Sequence, residues 1–264
     1  MPDTAGLKVI SRTVSAWLLA AVVVFGTSCA HSPLARWVPS PNFEARRAVL
    51  VVIHATEQGS AKASLDTLRG HNAGGRVSAH YLVGRDGRIY QLVHESQRAW
   101  HAGGGSWGTI SDLNSASIGI ELDNDGFADY TEPQIEALLR LLADVCDRQQ
   151  IPRTQVIGHA DLAPWRKNDP GPRFPWQRLA DAGFGRWPDA TMLAKQRPAN
   201  FDGWIALQLL GYPTMRDPQA ALRAFRMHYR GLDDVASPMQ EADLRLLYAL
   251  VAEEWNAGMS APSR

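Results

Sequence analysis

GHADLAPWRKNDPGPRFPW, residues 158–176, sets two potential metal ligands, a lysine and a proline frame within nineteen residues. The β-branched pair Val156-Ile157 precedes it, so His159 falls where a short buried strand ends and a loop begins. Ten residues on comes Asp169, with Lys167 before it and Pro170 after it. A residue before proline is driven to extended backbone and the proline fixes its own φ, so this carboxylate is presented by a stiff chain, as a metal ligand on a loop requires. The same letters also describe a satisfied buried histidine beside a solvated Lys167/Asp169 pair. The stretch alone does not separate the two readings.

Working outward, Ala48 to His54 (AVLVVIH) is a continuous apolar run, which predicts a central strand with His54 at its edge. Ala61 to Arg69 is helix-compatible. Ala79–Gly84 and Ile89–Val93 flank Arg85-Asp86-Gly87-Arg88 and read as a hairpin. Ala99 to Trp107 (AWHAGGGSW) is too glycine-rich for an element and predicts a loop whose backbone approaches a ligand. In Ser117–Leu122 (SIGIEL) a single carboxylate, Glu121, interrupts a strand suited to burial. An ionised group there is costly unless paired or near a cation, which makes Glu121 the best general-base candidate. Asp123-Asn124-Asp125-Gly126 opens like a calcium loop, but Phe127 occupies a ligand position and the distal Glu is missing, so calcium is excluded. Thr131-Glu132-Pro133-Gln134 predicts a capping-box start to an amphipathic helix ending near Gln150. Cys146 lies on that helix's apolar stripe and reads as packing, not as a nucleophile.

Beyond Lys195 the pattern is helix only: Phe201–Leu210, Pro218–Tyr229 and Met239–Trp255, separated by glycine and proline. Three short helices bury a modest core and read as a binding module or as a cap on the preceding domain. The predicted fold class is α/β, a mixed central β-sheet flanked by helices, followed by a small all-α three-helix C-terminal domain.

Lys+Arg and Asp+Glu both number 27, so no net field draws the chain to nucleic acid. At the N-terminus, Lys8 and Arg12 precede the apolar run Ala16–Phe25 and then Gly26-Thr27-Ser28-Cys29, the layout of a secretory signal over residues 1–28. The small residues before the cysteine resemble a lipobox, with Gly26 where leucine is usual, and make Cys29 the lipidation site. Ala30 after it resembles the pattern that sorts lipoproteins to the periplasmic face of the outer membrane. The expected organisation is signal 1–28, tether 29–46, catalytic domain 47–190 and three-helix domain 191–264.

His54, His159 and Asp169, each at a strand end or on a rigid loop, suit a tetrahedral zinc with one open position. Spacing alone leaves His71, His80, His94 and His101 as competitors, since neither Cys-x-x-Cys nor His-Glu-x-x-His is present. The motifs taken together, IHAT at 53–56, SAHYLVGRDGRIYQLV at 78–93, AWHAG at 99–103, SIGIEL at 117–122 and GHADLAPWRKNDPGPRFPW at 158–176, resemble the N-acetylmuramoyl-L-alanine amidases of the amidase-2 family, which are related to peptidoglycan recognition proteins. With the lipobox-like start, the resemblance points to the AmiD-type lipoprotein branch. LQLLGYP at 207–213 and AFRMHYRG at 224–231 resemble a three-helix peptidoglycan-binding domain.

The resemblance implies zinc on His54, His159 and Asp169, Glu121 as acid and base, Lys167 as stabiliser of the oxyanion, and substrate contacts at His80, Trp100 and His101. It implies peptidoglycan and muropeptides as partners, and a membrane reached through Cys29. Some relatives use a tyrosine before the residue matching His80; Ala79 stands there, so Glu121 works without it. A recognition protein that binds but does not cleave, and a structural zinc protein with a fourth ligand, are the rival classes.

Overall fold

The computed structural model describes residues 32–42, 44–45, 48–72 and 75–260; the expected signal segment and Cys29 lie outside the described residues. The first half runs β1 (Arg36–Trp37), β2 (Glu44–Ala45), β3 (Leu50–Ala55), α1 (Ala61–Arg69), β4 (His71–Asn72), β5 (Gly75–Arg76), β6 (Tyr81–Val83), β7 (Ile89–Gln91), β8 (Gln97–Arg98), α2 (Leu113–Ala116) and β9 (Ser117–Leu122). Then follow α3 (Glu132–Gln149), β10 (Val156–Gly158), α4 (His159–Leu162), α5 (Trp176–Asp181), α6 (Ala190–Leu193), α7 (Gly203–Leu210), α8 (Pro218–Arg230) and α9 (Glu241–Ser260).

Six strands form one mixed sheet in the order β1-β7-β6-β9-β3-β10, with only β6 and β7 antiparallel. Side chains alternate across a strand, so β3 and β9 divide their residues between two faces. Val51, Ile53, Ile118, Ile120 and Leu122 join the core that α3 covers with Ile135, Leu138, Leu142 and Val145. His54 and Glu121 take the opposite face, beside Leu50 and Val52, which pack with Leu113, Ile157 and Leu162. Cys146 is buried in the α3 core, as its stripe predicted.

Two expectations are corrected. Thr131 caps α3 by accepting from the Gln134 N–H at 3.4 Å, but the Gln134 side chain does not return the bond. Its buried amide donates to the carbonyls of Val83 (3.0 Å) and Asp123 (3.1 Å), tying α3 to the ends of β6 and β9. The stretch 29–46, read as a tether, supplies β1 along the sheet edge, parallel to β7, and β2 paired with β8. Two-residue strands leave no periodicity to read.

The helices α7, α8 and α9 enclose their own core around Leu207, Leu210, Leu222, Phe225, Leu247 and Leu250, and Ala160 of α4 enters it. Arg226, 1% exposed, stands inside this module and donates to Asp243 at 2.7 Å and to the carbonyls of Asp234, Ser237 and Pro238.

Candidate metal centre

The sheet brings the functional side chains together at the carboxyl ends of three adjacent parallel strands, where open α/β sheets place their ligands. His54 on β3 is the register partner of Glu121 on β9, and β10 flanks β3 on the other side. His159 comes directly after β10 and opens the single turn of α4 rather than a loop. The chain returns to it at Asp169, whose carbonyl accepts from the Ala160 N–H at 2.8 Å. His54 Nδ1 lies 2.9 Å from His159 Nδ1 and 3.2 Å from Asp169 Oδ2, and His159 Nδ1 lies 3.1 Å from that oxygen. All three residues are buried.

The partners behind the rings fix which nitrogens carry protons. Ser117 donates its hydroxyl to the Leu113 carbonyl, so it accepts from His101 Nε2, at 3.3 Å. His101 Nδ1 therefore accepts from His54 Nε2, at 3.0 Å, and His54 Nδ1 is left with a lone pair. On the other ligand, His159 Nε2 donates to the Ala102 carbonyl at 3.1 Å, again leaving Nδ1 bare. Two proton-free nitrogens and a carboxylate oxygen about one hydrogen-bond length apart repel one another, and a cation between them is what satisfies such a set. Asp169 Oδ1 is buried without a hydrogen-bond partner, a further acceptor in want of positive charge. The donor set fits a metal ion, with ligand atoms that all lie within 4.8 Å of one another.

Electrostatics agree with the geometry. Burial, and then the His159 charge, lower His54 to about 4, so the ring is neutral at physiological pH as a ligand must be. Burial alone would raise Asp169, but positive charge placed on His159, and then on His54, outweighs it and holds the carboxyl well below its ordinary value, as a cation between the three would. Glu121 goes the other way: burial first and the Asp169 charge second push it up to about 8, against the pull of Lys167. Its Oε2 is buried with no hydrogen-bond partner. These groups line a cavity of about 210 Å³, together with Lys167, Trp100, His101 and Glu57.

The model of the N-acetylmuramoyl-L-alanine amidase family matches residues 44–172. The N-acetylmuramoyl-L-alanine amidase AmiD of Escherichia coli K12 is 41% identical over 214 residues, spanning 70% of this chain and 75% of its own. The chain belongs to the N-acetylmuramoyl-L-alanine amidases. The solved structure of E. coli AmiD with anhydro-N-acetylmuramic acid-L-Ala-D-gamma-Glu-L-Lys superposes with a TM-score of 0.69 at 36% identity, covering 79% of this chain and 90% of that one. AMPDH3 of Pseudomonas aeruginosa, solved with an anhydromuramic pentapeptide, gives 0.68 at 32% identity over 89% of this chain and 99% of its own.

In this amidase, Glu121, Lys167, His54, His159 and Asp169 converge on one cavity, and Trp100 forms part of its wall. His101 is in the wall too, but its ring is committed to His54, which makes it a support for a ligand as well as a groove residue. His80 is corrected: it is fully buried and does not line the cavity. Its Nδ1 accepts from the Gly119 N–H at 3.0 Å and its Nε2 donates to the Gln97 carbonyl at 2.9 Å, so it braces β6 against β9.

Sequence reasoning missed Ser117, the Ala102 carbonyl and Glu57. It also missed Asp161, which is 2% exposed and accepts from the Gly158 N–H at 2.7 Å, the Tyr212 hydroxyl at 2.9 Å and His228 Nδ1 at 2.8 Å. Through Asp161 the C-terminal helices bond directly to the turn that carries His159. An aspartate at the third position of a helical turn is the one sequence signal that pointed to it.

Proposed function

We propose that the chain cleaves the amide between the lactyl group of N-acetylmuramic acid and L-alanine using zinc held by His54, His159 and Asp169, with Glu121 carrying the proton and Lys167 facing the oxyanion. The observation that carries this reading is the set of three proton-free ligand atoms beside a half-buried carboxylate, Glu121, whose enclosed Oε2 has no hydrogen-bond partner. Two imidazoles and one carboxylate are a common donor set for catalytic zinc. When bound, such an ion supplies a Lewis-acidic charge for the carbonyl and a more acidic water.

The chain's own residues then do the following. His101 and the Ala102 carbonyl orient the two imidazoles. Glu121 takes a proton as water attacks the carbonyl; with the charge of Asp169 balanced by a cation, one cause of its raised pKa is gone, and it moves toward the range where it can both accept and donate. Lys167 lies close enough to influence both Glu121 and His54, and its ammonium faces the negative charge growing on the tetrahedral oxygen. Glu121 returns the proton to the leaving L-alanine amine, and Trp100 walls the groove.

Substrate identity draws on the relatives: the AmiD structure holds an anhydromuramoyl tripeptide and the AMPDH3 structure an anhydromuramic pentapeptide, and muropeptides of that class are the expected substrates here. Residues 191–264 are assigned as a peptidoglycan-contacting module on the motifs at 207–213 and 224–231. Residues 1–28 are assigned as signal and Cys29 as the lipid attachment that holds the enzyme at the periplasmic face of the outer membrane.

The test uses protein from residue 30 onward, zinc-loaded, with a muropeptide, read by mass spectrometry for peptide beginning at L-alanine. Release that chelator and Glu121→Ala both suppress, and that zinc restores, supports the assignment. Zinc binding and muropeptide binding without release would turn the reading toward a recognition protein. Palmitate-analogue labelling of the full chain and of Cys29→Ala tests the anchor, which fails if neither takes up label.

A further inference from the structure

A second cleft, of about 630 Å³, opens between the glycine loop and the turn that joins α7 to α8. Gly104, Gly105 and Gly108 make one wall, Tyr212, Met215 and Arg216 another, and Trp165 lies between them. Two segments of chain run on from the cleft to the metal cavity. The glycine loop gives Trp100 and His101 to the cavity and its next residues to the cleft; the ligand-bearing stretch gives Lys167 to the cavity and Trp165 to the cleft. Arg166, between those two, donates to the Gly104 carbonyl at 2.7 Å and pins loop to stretch.

Size and charge point to an occupant. The metal cavity, at about 210 Å³, is below the range of about 300–1,000 Å³ that encloses a small ligand, so it accommodates the scissile bond and little else of a muropeptide. Among the described residues no aspartate or glutamate lines the cleft. The exposed Arg216 guanidinium stacks on the Trp165 ring, 4.2 Å from its centroid, and has no carboxylate partner among the described residues. A guanidinium held flat on an indole keeps its fork of N–H donors edge-on for a carboxylate.

We infer that this cleft is a second substrate subsite of the amidase, in which Arg216, held on Trp165, takes a free carboxylate of the peptide beyond L-alanine. The inference rests on the amidase assignment. Peptides of the class bound by the AmiD relative fit it, since a γ-linked glutamate leaves its α-carboxylate free and the last residue ends in another.

The test compares the zinc-loaded full chain with Arg216→Ala and Arg216→Lys. Two substrates are used: the anhydromuramoyl tripeptide with its carboxylates free, and the same molecule with both converted to amides. In wild type, the ratio of kcat/KM for free acid over amide is well above one. Arg216→Ala lowers that ratio about tenfold, mainly through KM, and Arg216→Lys recovers part of it. A ratio that Arg216→Ala leaves unchanged overturns the subsite, as does a wild-type ratio of one. Calorimetric titration of the full chain with the free tripeptide gives a readout independent of turnover: affinity about tenfold weaker in Arg216→Ala supports the inference, and equal affinity in both proteins overturns it. If wild type releases peptide from neither substrate, the amidase assignment itself has failed and the subsite falls with it.

Discussion

Glu121 and His101 hold the residue-scale consequences of the site. Glu121 has a folded-state pKa of about 8 against an ordinary 4.5, so the metal-free fold takes up its proton more readily than the unfolded chain does. A raised carboxyl costs nothing below pH ~4.5, costs progressively more as pH rises through that interval, and costs its full amount above about 8. In chelator, Glu121→Gln is therefore expected to match wild type in thermal melting near pH 4.5 and to exceed it at pH 8, by on the order of a few kcal/mol. A difference that does not grow with pH would remove the desolvated charge on Glu121 from the account. With metal present the same variant loses at least about a hundredfold in kcat while its metal affinity stays close to wild type. His101→Ala gives the opposite split: competition with a chromophoric chelator should show metal affinity about 10–100-fold weaker, because the His54 tautomer is no longer imposed. Glu121 was legible because a lone carboxylate in an apolar run has few bland explanations. His80 and His101 were not distinguishable by letter. One sits directly before a strand and the other in a glycine loop, yet only register shows that Gly119 bonds the first and lies beneath the second.

At the scale of elements, alternation along β9 decides the site. Ser117, Gly119 and Glu121 share one face, and a Cβ placed on Gly119 would lie 2.4 Å from His101 Cγ. That close approach is why SIGIEL carries a glycine in the middle of a strand. Gly119→Ala is expected to displace the His101 ring, cost about 1–3 kcal/mol in denaturant unfolding, and weaken metal binding in the same direction as His101→Ala. Destabilisation with unchanged metal affinity would show that the ring's position does not matter to His54. The long elements β3, β9 and α3 could be read from periodicity alone. The single turn of α4 could not, since four residues do not complete a pattern, nor could β1, whose place in the sheet is set by a parallel partner more than fifty residues away. Gln134 shows a subtler limit: the capping-box letters were present, but burial gave the amide two strand carbonyls to satisfy instead.

At the scale of the whole molecule, the three C-terminal helices were visible as helices, but not as the backing of the metal centre. His228 stacks on Trp176 with ring centroids 3.8 Å apart while it bonds Asp161, Arg223 donates to Asn168 at 2.7 Å, and Gly108 donates to the Gly211 carbonyl at 2.8 Å. Tyr212→Phe removes one hydroxyl and is expected to cost about 1 kcal/mol; Asp161→Ala strands three buried donors and is expected to cost about 3 kcal/mol or more and to loosen metal binding. If Asp161→Ala lowers the melting temperature without touching metal affinity, the helices merely cover the ligand turn and do not hold it. The Arg226–Asp243 pair was hidden because an arginine in an amphipathic helix reads as solvent-facing until the return of α9 encloses it. Asp161 also bears on how such a chain can change over generations. A recombination near Lys195 that delivered a foreign module would leave that carboxylate short of two donors unless the newcomer carried a phenol and an imidazole to the same places.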